Sequence, residues 1–300
     1  MSTDALLREL LVRRLDHWLP AALHRARRAT LALAYAGDDA SGAEEALRVV
    51  AEFADRLRGR RLTVLVVADD GTDLPVRLGA AEAALPPDVA VHLVPGGPDR
   101  LPVALKAAGA AGAPLLVVAD GADPDPALLA AAASGRPAEL LLVTAPGRPL
   151  RQVLTDAGFP LVTEVELVPD GDGPARLLGY GTGSDRGLEA VKDALWAVDE
   201  YAGVRYRDPA DPQGRLLDIS LDPEPGPLRR ELLAELARSG PRTVTELRRF
   251  ATTSTVYRAA DANRALASLL ASGAVTRDPE HGRLGGDVLI SAGPNAASSA

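Results

Sequence analysis

The feature that most limits the fold is a regular alternation of short apolar runs with helical segments between residues 30 and 157. Runs rich in Val, Leu and Ala predict five strands, at 30–35, 62–68, 89–94, 114–119 and 140–144. Each run precedes a segment with helical character, at 42–58, 75–85, 101–108, 126–133 and 148–157. Strands that are apolar throughout and separated by helices predict a parallel sheet covered on both faces.

Two further strands are predicted at 160–168 and 175–182, on either side of a loop rich in Pro, Asp and Gly. A loop this short predicts that they pair as an antiparallel hairpin. A helix follows, on which Leu188, Val191 and Leu195 recur at helical spacing, and another helix is predicted at the start, over 5–28. Five βα units that end in an antiparallel pair are the arrangement of a Rossmann-like, class I methyltransferase-like α/β sheet, by analogy of fold.

The remainder of the chain predicts a second, smaller domain. Residues 199–225 are rich in Pro, Asp and Gly and predict a linker after a first domain over 1–198. Residues 226–292 contain three apolar helical segments, the third from about 255 to 271, and then two short β segments. This order predicts a winged helix-turn-helix. The small polar residues 293–300 predict a disordered tail.

Composition narrows the function classes. The chain has 300 residues, no cysteine and four widely spaced histidines, which excludes disulfides and thiolate chemistry and offers no histidine ligand pair. No apolar run is long enough to cross a bilayer, and charges interrupt the N-terminus, so we expect a cytoplasmic protein. The net charge is −8, with about +3 on residues 226–300 and −11 on residues 1–225, so only the C-terminal part favours contact with DNA or RNA.

Acidic residues follow three of the predicted strands, where a parallel sheet places its working groups. We expect Asp69, after the second strand, to bind the ribose hydroxyls of a cofactor and Asp120 to have a catalytic role, such as orienting a substrate amine. The loop after the first strand has no tight Gly-x-Gly, and Asp38 and Asp39 would repel a phosphate or carboxylate, so its residues by themselves predict a poor cofactor cradle. Two alternatives remain open at this point. The acids, with Asp38 and its neighbours, can be ordinary loop and cap residues, or they can converge on Mg²⁺.

The helix at 187–199, GLEAVKDALWAVD, and the predicted winged helix with TVTEL at 243–247 resemble the three-Cys-motif partner (TcmP) proteins. That family is methyltransferase-like, and the resemblance implies S-adenosylmethionine as cofactor and a radical-SAM-like partner protein with three cysteines.

Tyr35 and Gly37 answer to the Phe-Ala-Gly of the family's loop after the first strand, so the resemblance implies that they contact the cofactor. The rest of this loop departs from the family pattern, with Leu33 in place of an Asp and Asp39 in place of the final Gly. The resemblance therefore implies either a binding or regulatory subunit or an active S-adenosylmethionine-dependent methyltransferase.

Further residues are candidates for contact with partners. Lys192 and Trp196 share a helix face and are predicted at the junction of the domains. On the third helix of the C-terminal domain we expect Arg258, Asp261 and Arg264 to point outward. Other C-terminal residues are predicted to contact DNA, RNA or a partner protein: Arg248, Arg249, Arg242, Arg283, Thr253 and Ser254. Thr253 and Ser254 are also predicted to cap the third helix.

Overall fold

The computed structural model describes residues 2–37, 40–69, 73–169, 171, 173–198, 204–217 and 226–293. The chain divides into two compact units, Met1–Leu217 and Asp218–Ala300. Across the described ranges, no helix combines the length and the apolar composition needed to cross a bilayer.

The first unit is built on one large sheet. Its strands are β1 (Arg28–Tyr35), β2 (Arg61–Ala68), β3 (Val89–Pro95), β4 (Leu115–Asp120), β5 (Ala138–Thr144), β6 (Leu161–Pro169), β7 (Arg176–Thr182), β8 (Val204–Arg207) and β9 (Leu216–Leu217). They lie in the order β3-β2-β1-β4-β5-β7-β6-β8-β9. The five strands β1 to β5 are parallel, and β7 lies antiparallel between β5 and β6. The predicted hairpin is therefore confirmed, and the architecture is mixed α/β, compatible with a Rossmann-like fold.

Helices cover both faces of this sheet. They are α1 (Thr3–Arg25), α2 (Ser41–Glu52), α3 (Ala54–Leu57), α4 (Leu74–Glu82), α5 (Leu101–Ala107), α6 (Pro126–Ala132), α7 (Arg151–Asp156) and α8 (Asp185–Val198). Leu101, Leu128 and Leu154 bring α5, α6 and α7 into one buried cluster with alternate strand residues such as Val117. The intervening strand residues, such as Val118, are buried as well, on the face where α1 packs against α2 and α8. Burial on both faces explains why these strands are apolar throughout.

The predicted linker differs from the structure. Within 199–225 the described part contains β8 and β9, and β8 pairs with β6 in antiparallel register. Val204 and Tyr206 are buried while Arg205 between them is exposed, which is the alternation of a strand with one covered face. Only four residues show the pattern, and the surrounding Pro, Asp and Gly residues obscured it. The sheet therefore extends beyond the predicted end of the first domain.

The second unit contains α9 (Gly226–Ser239), α10 (Val244–Ser254) and α11 (Ala259–Ala271), with β10 (Arg242–Thr243), β11 (Val275–Asp278) and β12 (Leu289–Ala292). The strands form an antiparallel sheet in the order β10-β12-β11. The three helices and the last two strands follow in the predicted order, whereas β10 between α9 and α10 was not predicted, and the identification as a winged helix stays a prediction. One expectation was wrong: Thr253 and Ser254 lie at the end of α10, so they do not cap α11. Residues 294–300, most of the predicted tail, lie outside the described residues.

Candidate functional site

A pocket opens at the carboxyl ends of β1 and β4, on the α1 side of the sheet. It has a volume of about 200 Å³. Three of the residues selected from the sequence, Tyr35, Gly37 and Asp120, line this pocket. The alternation of strands and helices brings them together, because β1 and β4 are adjacent and parallel and Tyr35 is the register partner of Asp120. The expectation that working groups gather at this edge therefore has a geometric basis.

The two chain segments that leave β1 and β4 approach each other closely. The Ala36 N–H donates a hydrogen bond to the Asp120 carbonyl oxygen at 2.8 Å. Gly121 has a φ of 73°, and a Cβ there would stand 2.8 Å from the Ala36 Cβ. Gly37, with a φ of 122°, turns the chain away at the pocket edge. Glycine is needed at both positions because L side chains rarely adopt positive φ.

An ion pair crosses the pocket and was not predicted. Arg176 Nη2 donates a hydrogen bond to Asp120 Oδ1, and Arg176 Nη1 donates one to Asp4 Oδ1 at 3.0 Å. The side chains of Arg176 and Asp120 are only 20% and 26% exposed, so the pair is partly shielded from water. Arg176 begins β7, and the antiparallel direction of that strand places its start at the carboxyl edge of the parallel strands. No local sequence signal links Arg176 to an acid 56 residues away.

The first turns of α1 form another wall of the pocket. Leu7 and Leu11 line it with their apolar side chains, and Arg8 Nη1 donates a hydrogen bond to Ser41 Oγ at 2.8 Å. Ser41 begins α2, and Gly42 beside it leaves space for the Tyr35 hydroxyl oxygen, which would stand 2.8 Å from a Cβ at that position. The pocket therefore holds two arginines and two carboxylates above an apolar floor.

The other acidic residues predicted at the strand ends are either exposed or outside the described residues. Asp69 follows the end of β2, is exposed, and is not among the residues that line the pocket. Asp38, Asp39 and Asp70 lie outside the described residues, so the repulsive pair expected after β1 and part of the Mg²⁺ alternative stay untested. Among the described residues there is no group of three or more His, Asp or Glu that could hold a metal ion.

In the second unit, Asp261 is buried, so the expectation that it points outward was wrong. It is 3% exposed and accepts hydrogen bonds from both Arg258 and Arg264. It also accepts the Arg258 backbone N–H at 2.9 Å and so caps the start of α11. Burial by itself would raise the pKa of Asp261, but these hydrogen bonds outweigh it and lower the pKa below its ordinary value. The Arg258 side chain is 12% exposed, so it too is turned inward rather than outward.

The other C-terminal arginines differ in their surroundings. Arg248 Nε donates a hydrogen bond to Asn263 Oδ1 at 2.7 Å, which ties α10 to α11. Arg242 lies 3.6 Å from Glu246 Oε1, whereas Arg249 and Arg283 are exposed. The exposed surface of this unit is thus less basic than the number of arginines suggested, because several of them are engaged within the unit.

Lys192 and Trp196 lie in α8 and are buried within the first unit, 1% and 2% exposed. α8 packs against α1 and against β6 and β7. Their predicted place at a domain junction stays a prediction, because their burial is explained by contacts inside the first unit.

A buried polar cluster lies at the other end of the sheet. Glu139 Oε2 accepts hydrogen bonds from Arg14 Nε at 2.9 Å, from Arg14 Nη2, and from the Tyr180 hydroxyl at 2.7 Å. Burial and then the negative charge of Glu139 raise the pKa of Tyr180 well above its ordinary value, so the phenol stays a hydrogen-bond donor. A sequence signal existed, because Arg14 follows Leu7 and Leu11 and precedes Trp18 on the apolar stripe of α1.

The pocket and the polar cluster thus lie at opposite edges of one sheet, and α1 lines the cavities at both. In comparisons with known proteins, neither a protein-family model nor a curated protein matches the chain.

Proposed function

We propose that the chain is a methyltransferase-like protein of the TcmP type that acts as a binding or regulatory subunit with a partner protein. The observation that carries this proposal is the ion pair between Asp120 and Arg176. The acid that the resemblance assigns to catalysis is neutralised by a cation that also contacts Asp4 of α1. A carboxylate engaged in this way is a weaker acceptor for a substrate amine, because its negative charge is already compensated by the guanidinium of Arg176.

The pocket residues fit S-adenosylmethionine only in part. Tyr35 and Gly37 line the pocket, which supports the cofactor, but the cavity volume of about 200 Å³ is below the roughly 300–1,000 Å³ of typical small-molecule sites. Asp69, the acid expected to hold the ribose hydroxyls, is exposed outside the lining of the pocket. The lining therefore supports S-adenosylmethionine only in part, which favours the subunit over the enzyme.

An S-adenosylmethionine-dependent methyltransferase is the second candidate, and the strand order favours it. The insertion of β7 antiparallel between β5 and β6 is the arrangement of methyltransferase-like sheets, and it supports the resemblance. For this candidate Arg176 would have to leave Asp120 when the cofactor binds. Arg176 can leave Asp120 only if the ligand replaces the contacts that Arg176 loses.

For the second unit we propose a winged helix whose surface contacts a partner protein, in line with the three-cysteine radical-SAM-like partner that the resemblance implies. Three helices and an antiparallel sheet, whose strand β10 lies between the first two helices and whose other strands follow the third, support the winged helix. Asp261 accepts hydrogen bonds from both Arg258 and Arg264 and compensates part of their positive charge, which favours protein over nucleic acid as the partner, because phosphate contacts depend on uncompensated cations.

Calorimetry of the full chain with S-adenosylmethionine and S-adenosylhomocysteine tests the choice between the two candidates. We expect either no binding or binding weaker than the low micromolar range. A dissociation constant in that range corresponds to a binding free energy of about −8 kcal/mol. We expect Arg176→Ala to strengthen any weak binding, because it opens the pocket and frees Asp120. Arg61→Ala is the matched control, since Arg61 is exposed at the opposite end of β2. Low-micromolar binding by the unaltered chain would overturn the subunit proposal in favour of the enzyme.

A further inference from the structure

The groove between α1 and α8 is a second cavity, at the amino edge of β5 and away from the pocket that contains Asp120. Its volume of about 380 Å³ is within the roughly 300–1,000 Å³ of small-molecule sites. Small residues on both helices make room for it: Ala21 and Ala22 on α1, and Gly187 and Ala190 on α8. The groove thus has the size of a ligand site, and the proposed function does not use it.

The lining of the groove contains one carboxylate oxygen, Glu139 Oε1, for which the described part of the chain supplies no donor. All three hydrogen bonds to Glu139 end on Oε2, so Oε1 accepts none from the described residues although the residue is 4% exposed. An acceptor without a protein donor in the lining of a cavity indicates a ligand that supplies the donor.

The rim of the groove carries charges of both signs. Arg25 on α1 and Arg186 at the start of α8 are exposed cations, and Glu189 one turn along α8 is an exposed anion. Among the described residues these three side chains make no ion pair, even though they line one cavity. A ligand with a single charge would be attracted by one part of the rim and repelled by the other.

We propose that this groove binds a small zwitterion of the size of a free amino acid or a dipeptide. The ligand carboxylate pairs with the guanidinium groups of Arg25 and Arg186, and the ligand ammonium pairs with Glu189. A further polar N–H or O–H of the ligand donates a hydrogen bond to Glu139 Oε1 at the floor of the groove. Charge-assisted hydrogen bonds of this kind are the strong ones in partly enclosed sites, and pairs of opposite sign select against molecules that carry only one charge.

Ligand-observed NMR on the full chain tests the proposal. The probes are the standard amino acids and glycylglycine, each at about 1 mM, with a detectable dissociation constant near that value. For each zwitterion that binds, the N-acetylated form lacks the ammonium and the amide form lacks the carboxylate. We expect at least one zwitterion to bind and both of its derivatives to bind about tenfold more weakly, the loss of roughly one charge-assisted contact.

Two variants of the rim locate the site. Arg25→Gln and Glu189→Gln change exposed side chains, so we expect the melting temperature without ligand to be unchanged and the binding of the zwitterion to weaken about tenfold. Arg61→Gln and Glu52→Gln are the matched controls, because both residues are exposed and neither lines the groove. Ala190→Phe is a second test of the location of the site, because it fills the groove without altering a charge.

The proposal is overturned if no zwitterion binds, if a derivative with one charge binds as well as its parent, or if the rim variants bind like the controls. S-adenosylmethionine carries the ammonium and carboxylate of an amino acid, so any binding of it is titrated in Arg25→Gln and Arg176→Ala separately. Loss of its binding only in Arg25→Gln assigns it to the groove, and a change only in Arg176→Ala assigns it to the pocket with Asp120. The two results keep this inference distinct from the proposed function.

Discussion

Replacement of Glu139 by Gln should strongly destabilise the first unit. The Arg14 and Glu139 side chains are 4% and 5% exposed, so the buried positive charge of Arg14 is compensated by the Glu139 carboxylate. Glutamine keeps nearly the same shape and still offers an oxygen to the Tyr180 hydroxyl. The variant therefore removes mainly the negative charge and leaves a buried cation unpaired.

The expected loss is about 3–5 kcal/mol, the usual cost of removing one partner of a buried ion pair. That is a large part of the roughly 5–15 kcal/mol by which a domain is stable. Glu9→Gln is the comparison, because its ion pair with Arg13 also lies on α1 but both side chains are 43% exposed. An exposed pair of this spacing contributes about 0.3–0.5 kcal/mol.

Urea unfolding followed by tryptophan fluorescence measures this difference. The chain has two tryptophans, and both Trp18 and Trp196 are buried in the first unit, so the signal reports on that unit alone. We expect the midpoint for Glu139→Gln to fall sharply with little change in slope. The double variant Arg14→Met with Glu139→Leu should recover much of the loss, because it removes both charges. A loss below about 1 kcal/mol in the single variant would refute the reasoning, since the cation would then have other compensation.

Two further predictions concern the second unit. Because the pKa of Asp261 is lowered in the folded chain, its contribution to stability is complete above about pH 4 and is lost as the pH falls through the folded pKa. Asp261→Asn should remove this dependence in thermal melts recorded by circular dichroism between about pH 7 and pH 3. Because the partner is proposed to be a protein, the full chain should not be retained by DNA or RNA at about 50 mM salt. Retention whose salt slope falls by about one unit in Arg249→Ala would show phosphate contact instead.

The architecture of the first unit was largely predictable because its strands are buried on both faces. Residues 62–68 contain only apolar side chains apart from Thr63, and residues 30–35 are similar, so these segments differ clearly from the helices between them. Thr182 and Leu161 also pair as the hairpin required. β8 was missed because its four residues carry alternating arginines and are too short for a reliable period.

The candidate site was predictable only in part. Tyr35, Gly37 and Asp120 were found because strand ends can be read from local sequence. Arg176 was missed, because its contact with Asp120 depends on the direction in which a later strand returns through the sheet. Asp261 was misplaced outward for a related reason: α11 begins later than expected, and a carboxylate at its third position is used to cap it.

The 23-residue helix α1 has a consequence for how the two cavities communicate. Asp4 and Arg8 line the pocket, and Arg14 and Arg25 line the groove, so one rod of about 35 Å spans from one cavity to the other. A ligand that shifts this rod along its axis at one end alters the lining at the other. Thermodynamic linkage makes the effect mutual, so occupancy of the pocket would change the affinity of the groove by the same factor by which occupancy of the groove changes the affinity of the pocket.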